Sequence, residues 1–362
     1  MNFTIVANGK QARRDAAAAA LVETCRAHGD ELVGAEGGVN FALNLICADA
    51  PRHFRRKAQS VFVFSIMEDE RVDAGFKSRC YTALVRSLSN LLLCVVPGAR
   101  GGPTEVYFTT PEAGFYHIPF DPEAVYGRLC PIARAHFATE NIFSEDLPER
   151  LWEGSAVTRE LRRYGQELDT MGVLPVPFPL RDVLSADARR QLYKIYGITG
   201  ASYGNLSARE EVPEFGSSTF WMTGRGVDKS NLRVVGKDIL LVRGFDRARG
   251  AALIARPPGA DERARVSVDA VEHELIYRTY PGVGAIVHAH AWMEGVPCTR
   301  QNYPCGTTEL AAEVAALLAS VPDPVRGAVG LKNHGLTITG RSLAEIFSRV
   351  RGKLLPEVAM FD

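Results

Sequence analysis

The chain has 362 residues, 46% apolar and 23% charged, enough for two domains or one large one with ample surface to bury a core. Lys plus Arg equals Asp plus Glu at 42 each, so no global field draws the chain to nucleic acid or to an anionic membrane. No apolar run reaches the roughly 18–20 residues of a membrane helix.

Met1 to Arg14 carries polar Asn8, Gly9, Lys10 and Gln11 where a signal peptide would be apolar. The seven cysteines, at 25, 47, 80, 94, 130, 298 and 305, are scattered and include no Cys-x-x-Cys pair. That is the pattern of reduced thiols in a cytoplasmic protein. Asp15–His28 then reads as a helix. The basic run Arg52-His53-Phe54-Arg55-Arg56-Lys57 reads as a solvated loop or face. Ser60–Met67 is a buried strand, Phe76–Leu88 a helix, and Leu91–Val96 a second buried strand stopped by Pro97-Gly98. Thr104–Thr110 and Gly114–Phe120 form a hairpin around Pro111-Glu112-Ala113. Residues 1–150 thus read as an α/β or α+β module of their own, without a role legible in their residues.

Between Trp152 and Leu184 comes an amphipathic helix followed by Val173-Leu-Pro-Val-Pro-Phe-Pro-Leu180. Three prolines in five residues neither continue a helix nor fill a central strand, so 151–184 reads as a connector. From Ser185 the pattern is a helix to Tyr196, a Gly-rich turn, then alternating strands and helices.

Chemistry concentrates in this last part. Ala285-Ile286-Val287-His288-Ala289-His290 is an apolar run ending in two histidines spaced i, i+2, which share one face of a strand. A third histidine follows in Asn333-His334-Gly335. Three imidazoles match a catalytic zinc site with one open position. Gly204-Asn205-Leu206-Ser207-Ala208-Arg209 reads as a turn whose amides, with the Asn and Ser side chains, can meet an anion. Trp221–Lys229 is a second such turn; it is neither a Walker loop nor a dinucleotide fingerprint. Ser267-Val268-Asp269 precedes a helix over Ala270–Tyr280, where Ser267 or Asp269 can cap. His273 starts no zinc-protease motif, because Tyr277 stands four residues on.

In this order the landmarks resemble the class II aldolase/adducin family. They are Gly204–Arg209, Thr223-Gly224, Ser267–Asp269, Tyr277 with Pro281, His288-Ala289-His290, Gly306-Thr307-Thr308-Glu309-Leu310 and Asn333-His334-Gly335, covering about 185–350. The resemblance implies an α/β/α domain with a central, mainly antiparallel sheet over 185–362. It implies His288, His290 and His334 as ligands of Zn2+ or another divalent metal, and Asp269 as the acid/base. It places Asn205, Ser207, Thr223, Gly224 and Ser267 on the substrate's anionic side, with Arg225, Lys229 and Tyr303 as further substrate contacts. The implied function is a metal-dependent lyase that makes or breaks a C–C bond of a small hydroxy-carbonyl substrate, sugar-like and in some relatives phosphorylated, through an enediolate. Decarboxylation or dehydration on the same platform is the alternative among enzymes, and a non-catalytic adducin-like scaffold the alternative outside them. The expected partners are a small-molecule substrate and other copies of the chain, a tetramer by resemblance, with no nucleic acid or membrane.

The chain departs from the family pattern in three ways. Asp269, 19 residues before His288, stands where the family has Glu, one methylene shorter in reach. Val268 replaces the second Ser of the phosphate motif. Only fifteen residues separate His290 from Gly306, so Trp292, Glu294, Arg300, Gln301, Tyr303 or the N-terminal module must cover the metal. The chain also ends at Asp362, soon after a helix beginning near Ser342, which shortens a tail that often completes the family's site. Glu272, one turn beyond Asp269, is the second choice for the same acid/base role and otherwise reads as a solvated helix residue.

Overall fold

In a computed structural model the chain forms two compact units, each built on its own sheet. The structure describes every residue except 36, 59, 113, 175–184, 188, 191, 192 and 194–201. Half of the helix expected over Ser185–Tyr196 lies outside the described residues.

The first unit contains Met1–Ala135, the described residues among Phe178–Tyr196, and Met360–Asp362. In chain order it holds β1 (Asn2–Ala7), α1 (Ala12–Ala27), β2 (Glu31–Leu32), β3 (Phe41–Leu45), β4 (Phe62–Glu68), α2 (Phe76–Ser87), β5 (Leu91–Val96), β6 (Glu105–Thr109), β7 (Phe115–Pro119) and α3 (Pro122–Ala133). The sheet order is β2-β1-β3-β4-β5-β6-β7, parallel as far as β5 and antiparallel beyond. β3 and β5 are buried along their whole length, which is why they carry continuous apolar runs instead of alternating ones. The fully buried Arg14 donates to the carbonyls of Asn8, Gly9 and Ile46, tying off the backbone just beyond β1 and β3.

The second unit holds 136–174 and 202–359 of the described residues. Its elements are β8 (Glu140–Ser144), α4 (Ala156–Thr170), β9 (Asn205–Arg209), β10 (Phe220–Thr223), β11 (Ile239–Asp246), β12 (Ala251–Ala255), α5 (Ala270–Thr279), β13 (Ala285–Ala289), α6 (Thr308–Leu318), β14 (Ala328–Leu331), β15 (Gly335–Gly340) and α7 (Leu343–Val350). The sheet order is β14-β15-β13-β9-β10-β11-β12-β8, antiparallel everywhere except where β8 joins β12 in parallel. Alternation along each strand sorts the core into two faces. Leu206, Ala208, Trp221, Leu241, Val287 and Ile338 pack with Leu161, Tyr164 and Leu168 of α4 and with Ile346 and Phe347 of α7. Phe220, Met222, Leu240, Ile254 and Ile286 pack with Ile276 and Tyr277 of α5 and with Leu310 and Val314 of α6. The result is an α/β/α sandwich.

Two boundaries differ from the sequence reading. The first unit ends at Ala135, not near 150, because β8 adds an edge strand to the second sheet. The helix read as part of a connector is α4, capped by Ser155 and packed into the second core. Its stripe of Leu161, Tyr164 and Leu168 at i, i+3, i+7 is a core signature that the following prolines obscured.

Candidate metal centre

The site begins with β13, which lies between β9 and β15. In register, His288 faces Asn205 on one side and Thr337 on the other. These three side chains form one transverse row on the sheet face that carries α5, where directly opposed residues lie close enough to interact. The row meets two carboxyls of α5 and its cap. Asn205 Nδ2 donates to Asp269 Oδ2 at 2.7 Å, and Thr337 Oγ1 donates to Glu272 Oε1 at 2.6 Å. Asp269 occupies the N-cap position of α5, yet its carboxylate makes no capping bond. An N-cap Asp ordinarily bonds the free amides of the first turn; this one is turned toward His288 instead.

Two backbone choices bring the third histidine in. Asn333 takes a left-handed conformation at φ 57°, which Asn tolerates better than most residues. A Cβ on Gly335 would overlap Ala289 O, so only glycine lets β15 begin so close to the end of β13. His334 Nε2 thereby lies 3.2 Å from His290 Nε2. The ring centroids of His288, His290 and His334 are 4.7–5.2 Å apart, and one donor atom from each falls within a 4.8 Å group. Gly204 closes the far side: its φ is +75° and a Cβ there would lie 2.6 Å from His288 O. Tyr203 stacks on His290 with ring centroids 4.3 Å apart.

The histidines are set for metal. His288 Nδ1 donates to Leu336 O at 3.0 Å, which fixes the tautomer and leaves the Nε2 lone pair facing the cluster. His288 is buried and its Nε2 has no hydrogen-bond partner among the described residues. Burial holds His288 below the ordinary imidazole range and His334 well below it, which favours the neutral form, the one that can bind a metal. An unsatisfied buried nitrogen is costly unless something binds it. Three imidazoles with a carboxylate in reach suit a divalent ion.

Residues that sequence reasoning passed over complete the surroundings. Cys305 Sγ lies 3.4 Å from His334 Nε2, and a second group of possible donors joins Asp269, His288 and Cys305 within 4.8 Å. Glu272 is buried, not solvated; burial and the neighbouring Asp269 push its carboxyl up to about 8. His273 is fully buried and pushed down to about 3, with Nδ1 bonded to Ser207 Oγ at 2.7 Å.

The expected anion-side residues behave differently. Asn205–Arg209 and Phe220–Thr223 are strands, not turns, so their amides largely serve the ladder. Ser207 shares its hydroxyl between His273 and Tyr277. Thr223 Oγ1 accepts from Leu206 N, Gly224 N donates to Asp238 O, and Ser267 N donates to Thr223 O. Arg225 Nη2 donates to Thr139 O at 3.0 Å. Lys229 is buried, with Nζ on Ser202 O at 2.9 Å, and desolvation lowers it to about 8 against the pull of Asp228 and Asp269. Tyr303 and Trp292 pack against core clusters.

Residues 184–294 match the class II aldolase and adducin N-terminal domain, a segment that includes Asp269, His288 and His290. Among solved structures, an L-fuculose 1-phosphate aldolase is 21% identical over 55% of this chain and 81% of its own, with a TM-score of 0.36. YgbL from Escherichia coli is 20% identical over 53% of this chain and 82% of its own, at 0.33. YgbL from Klebsiella pneumoniae is 19% identical over 54% and 83%, also at 0.33. No curated protein matches the chain. Residues 184–294, most of them in the second unit, are thus similar to the N-terminal domain of class II aldolases and adducin.

Proposed function

We propose that this protein is a divalent-metal-dependent lyase, zinc being the metal, acting on a C–C bond of a small hydroxy-carbonyl compound. The observation that carries the reading is His288 Nε2, buried and without a hydrogen-bond partner among the described residues, grouped with His290 and His334. Those three imidazoles would hold the ion. When bound, it supplies Lewis-acid polarisation of a substrate carbonyl.

The chain's own residues do the rest. Asp269 takes the substrate hydroxyl proton through its carboxylate, and Asn205 holds that carboxylate on the His288 side of the sheet. Glu272, neutral below about 8, leaves one negative charge instead of two beside Asp269. Buried walls keep bulk water from competing for the transferred proton.

The committed hydroxyl of Ser207 and amide of Gly224 support an unphosphorylated substrate. They also favour a second reading, decarboxylation of a hydroxy- or keto-acid, in which the metal site and not a phosphate cradle receives the substrate's charge. Product analysis separates the two: an aldehyde or ketone fragment with no carbon dioxide supports C–C cleavage of the aldol type, and carbon dioxide supports decarboxylation. Assembly as a homo-oligomer belongs to the same proposal and is checked by sedimentation.

Metal analysis tests the common ground. Purified protein should bind about one divalent ion per chain, and His288→Ala with His290→Ala should bind none. Less than about half an equivalent after reconstitution would return the chain to a scaffold role of the adducin kind.

A further inference from the structure

The loop from 291 to 305 is short, and it delivers a sulfur to the histidine cluster. Cys305 is held there by its neighbours. Thr307 Oγ1 donates to Pro304 O at 2.9 Å, Ala138 N donates to Gly306 O at 2.8 Å, and Thr307 bridges to Phe137. Gly306 adopts φ +75°, and a Cβ there would overlap Thr139, so the backbone turns sharply just after the thiol. Cys305 is therefore a fixed group, not a swinging one. Its Sγ is 3.4 Å from His334 Nε2, and His334 Nε2 is 3.2 Å from His290 Nε2. Ions held by nitrogen at about 2.0–2.1 Å and sulfur at about 2.3 Å in a tetrahedron have donor–donor edges of roughly 3.3–3.6 Å. These two separations lie close to such edges. His288, whose buried Nε2 has no hydrogen-bond partner among the described residues, belongs to the second donor group with Cys305 and Asp269.

We infer that Cys305 is the fourth protein ligand of the metal, giving a three-histidine, one-thiolate site and leaving Asp269 outside the coordination sphere as the base. This rests on the metal reading above. On binding, the S–H bond breaks, the S–metal bond forms and the proton leaves to solvent, with no change of oxidation state. Two consequences follow. A soft thiolate favours zinc and cobalt(II) over magnesium and manganese. A substrate that chelates through two oxygens must also displace the thiolate or expand the coordination number.

Cobalt(II) substitution of the full-length protein reads this directly. Wild type should show visible d–d bands of tetrahedral intensity together with a near-ultraviolet thiolate-to-cobalt charge-transfer band. Cys305→Ser and Cys305→Ala should keep d–d bands and lose the charge-transfer band, while Cys298→Ser keeps both. Zinc affinity should fall at least about tenfold in the Cys305 variants, with manganese affinity changing far less. A wild-type spectrum with d–d bands and no charge-transfer band overturns the assignment and leaves the three-histidine site standing. A charge-transfer band that survives in Cys305→Ala or disappears in Cys298→Ser also overturns it. Absence of any cobalt bands in wild type overturns the metal reading itself.

Discussion

Glu272 and Asp269 sit three residues apart at the start of α5, facing the same row of the sheet, and two ionised carboxylates there would repel in a medium that screens poorly. The structure resolves the conflict by raising Glu272 to about 8. A carboxyl raised above its unfolded value contributes stability below the unfolded value of about 4.5, and that contribution is lost as pH climbs through about 8. Glu272→Gln should therefore leave denaturant stability nearly unchanged near pH 5 and raise it relative to wild type at pH 9. The gain should be a few kcal/mol, at most about 5. Equal urea midpoints at pH 9 would show that Glu272 is not held neutral. Asp269→Asn is the complementary test. It keeps the shape and a hydrogen bond to Asn205 but cannot take a proton, so kcat should fall roughly 10²–10⁴-fold with metal content intact.

At the scale of elements, the turn between β14 and β15 decides whether the cluster forms. Gly335→Ala sets a methyl against the backbone carbonyl of Ala289, which cannot move without parting β13 from β15. The expected cost is at least about 1–3 kcal/mol, with a larger fractional loss of metal than of folded protein. Thermal denaturation beside metal analysis of the same sample checks both. The histidine pair was legible in sequence because a two-residue period reports directly on one strand face. Asn333-His334-Gly335 was legible only as a pattern, since the reason for its glycine is the end of a strand, at Ala289, far back in the chain. Cys305 and Tyr203 gave no signal at all, because their importance comes from long-range proximity. Glu272 was misread because a helix position one turn from the cap reveals nothing about which side the sheet covers. Gly204–Arg209 was misread because its first glycine suggested a turn, whereas it only opens β9.

Across the whole molecule, each unit has a sheet of its own, and the proposed metal ligands all belong to the second. Calorimetry of the full chain should show the transition of the second unit moving with metal while that of the first stays put. At a free metal concentration about 100 times Kd the shift is roughly 5–10 °C. A single transition that moves as one would mean the two units unfold together. In the first unit the strands β4 and β5 and the hairpin were legible as apolar runs and turn residues, but β1 and β3 were not. Asn2–Ala7 runs straight into polar Asn8, and Phe41–Leu45 carries a buried polar Asn44 whose amide donates to Arg52 O and Ser65 Oγ.

The row Asn205–His288–Thr337 has a kinetic consequence. His288 is rooted in a strand laddered on both sides, so its amide should exchange with solvent only when the whole second sheet opens. His334 is rooted in a turn. Metal release should therefore run through the turn, with His334 letting go first and His288 last, at a rate set by local fraying and not by unfolding of the domain.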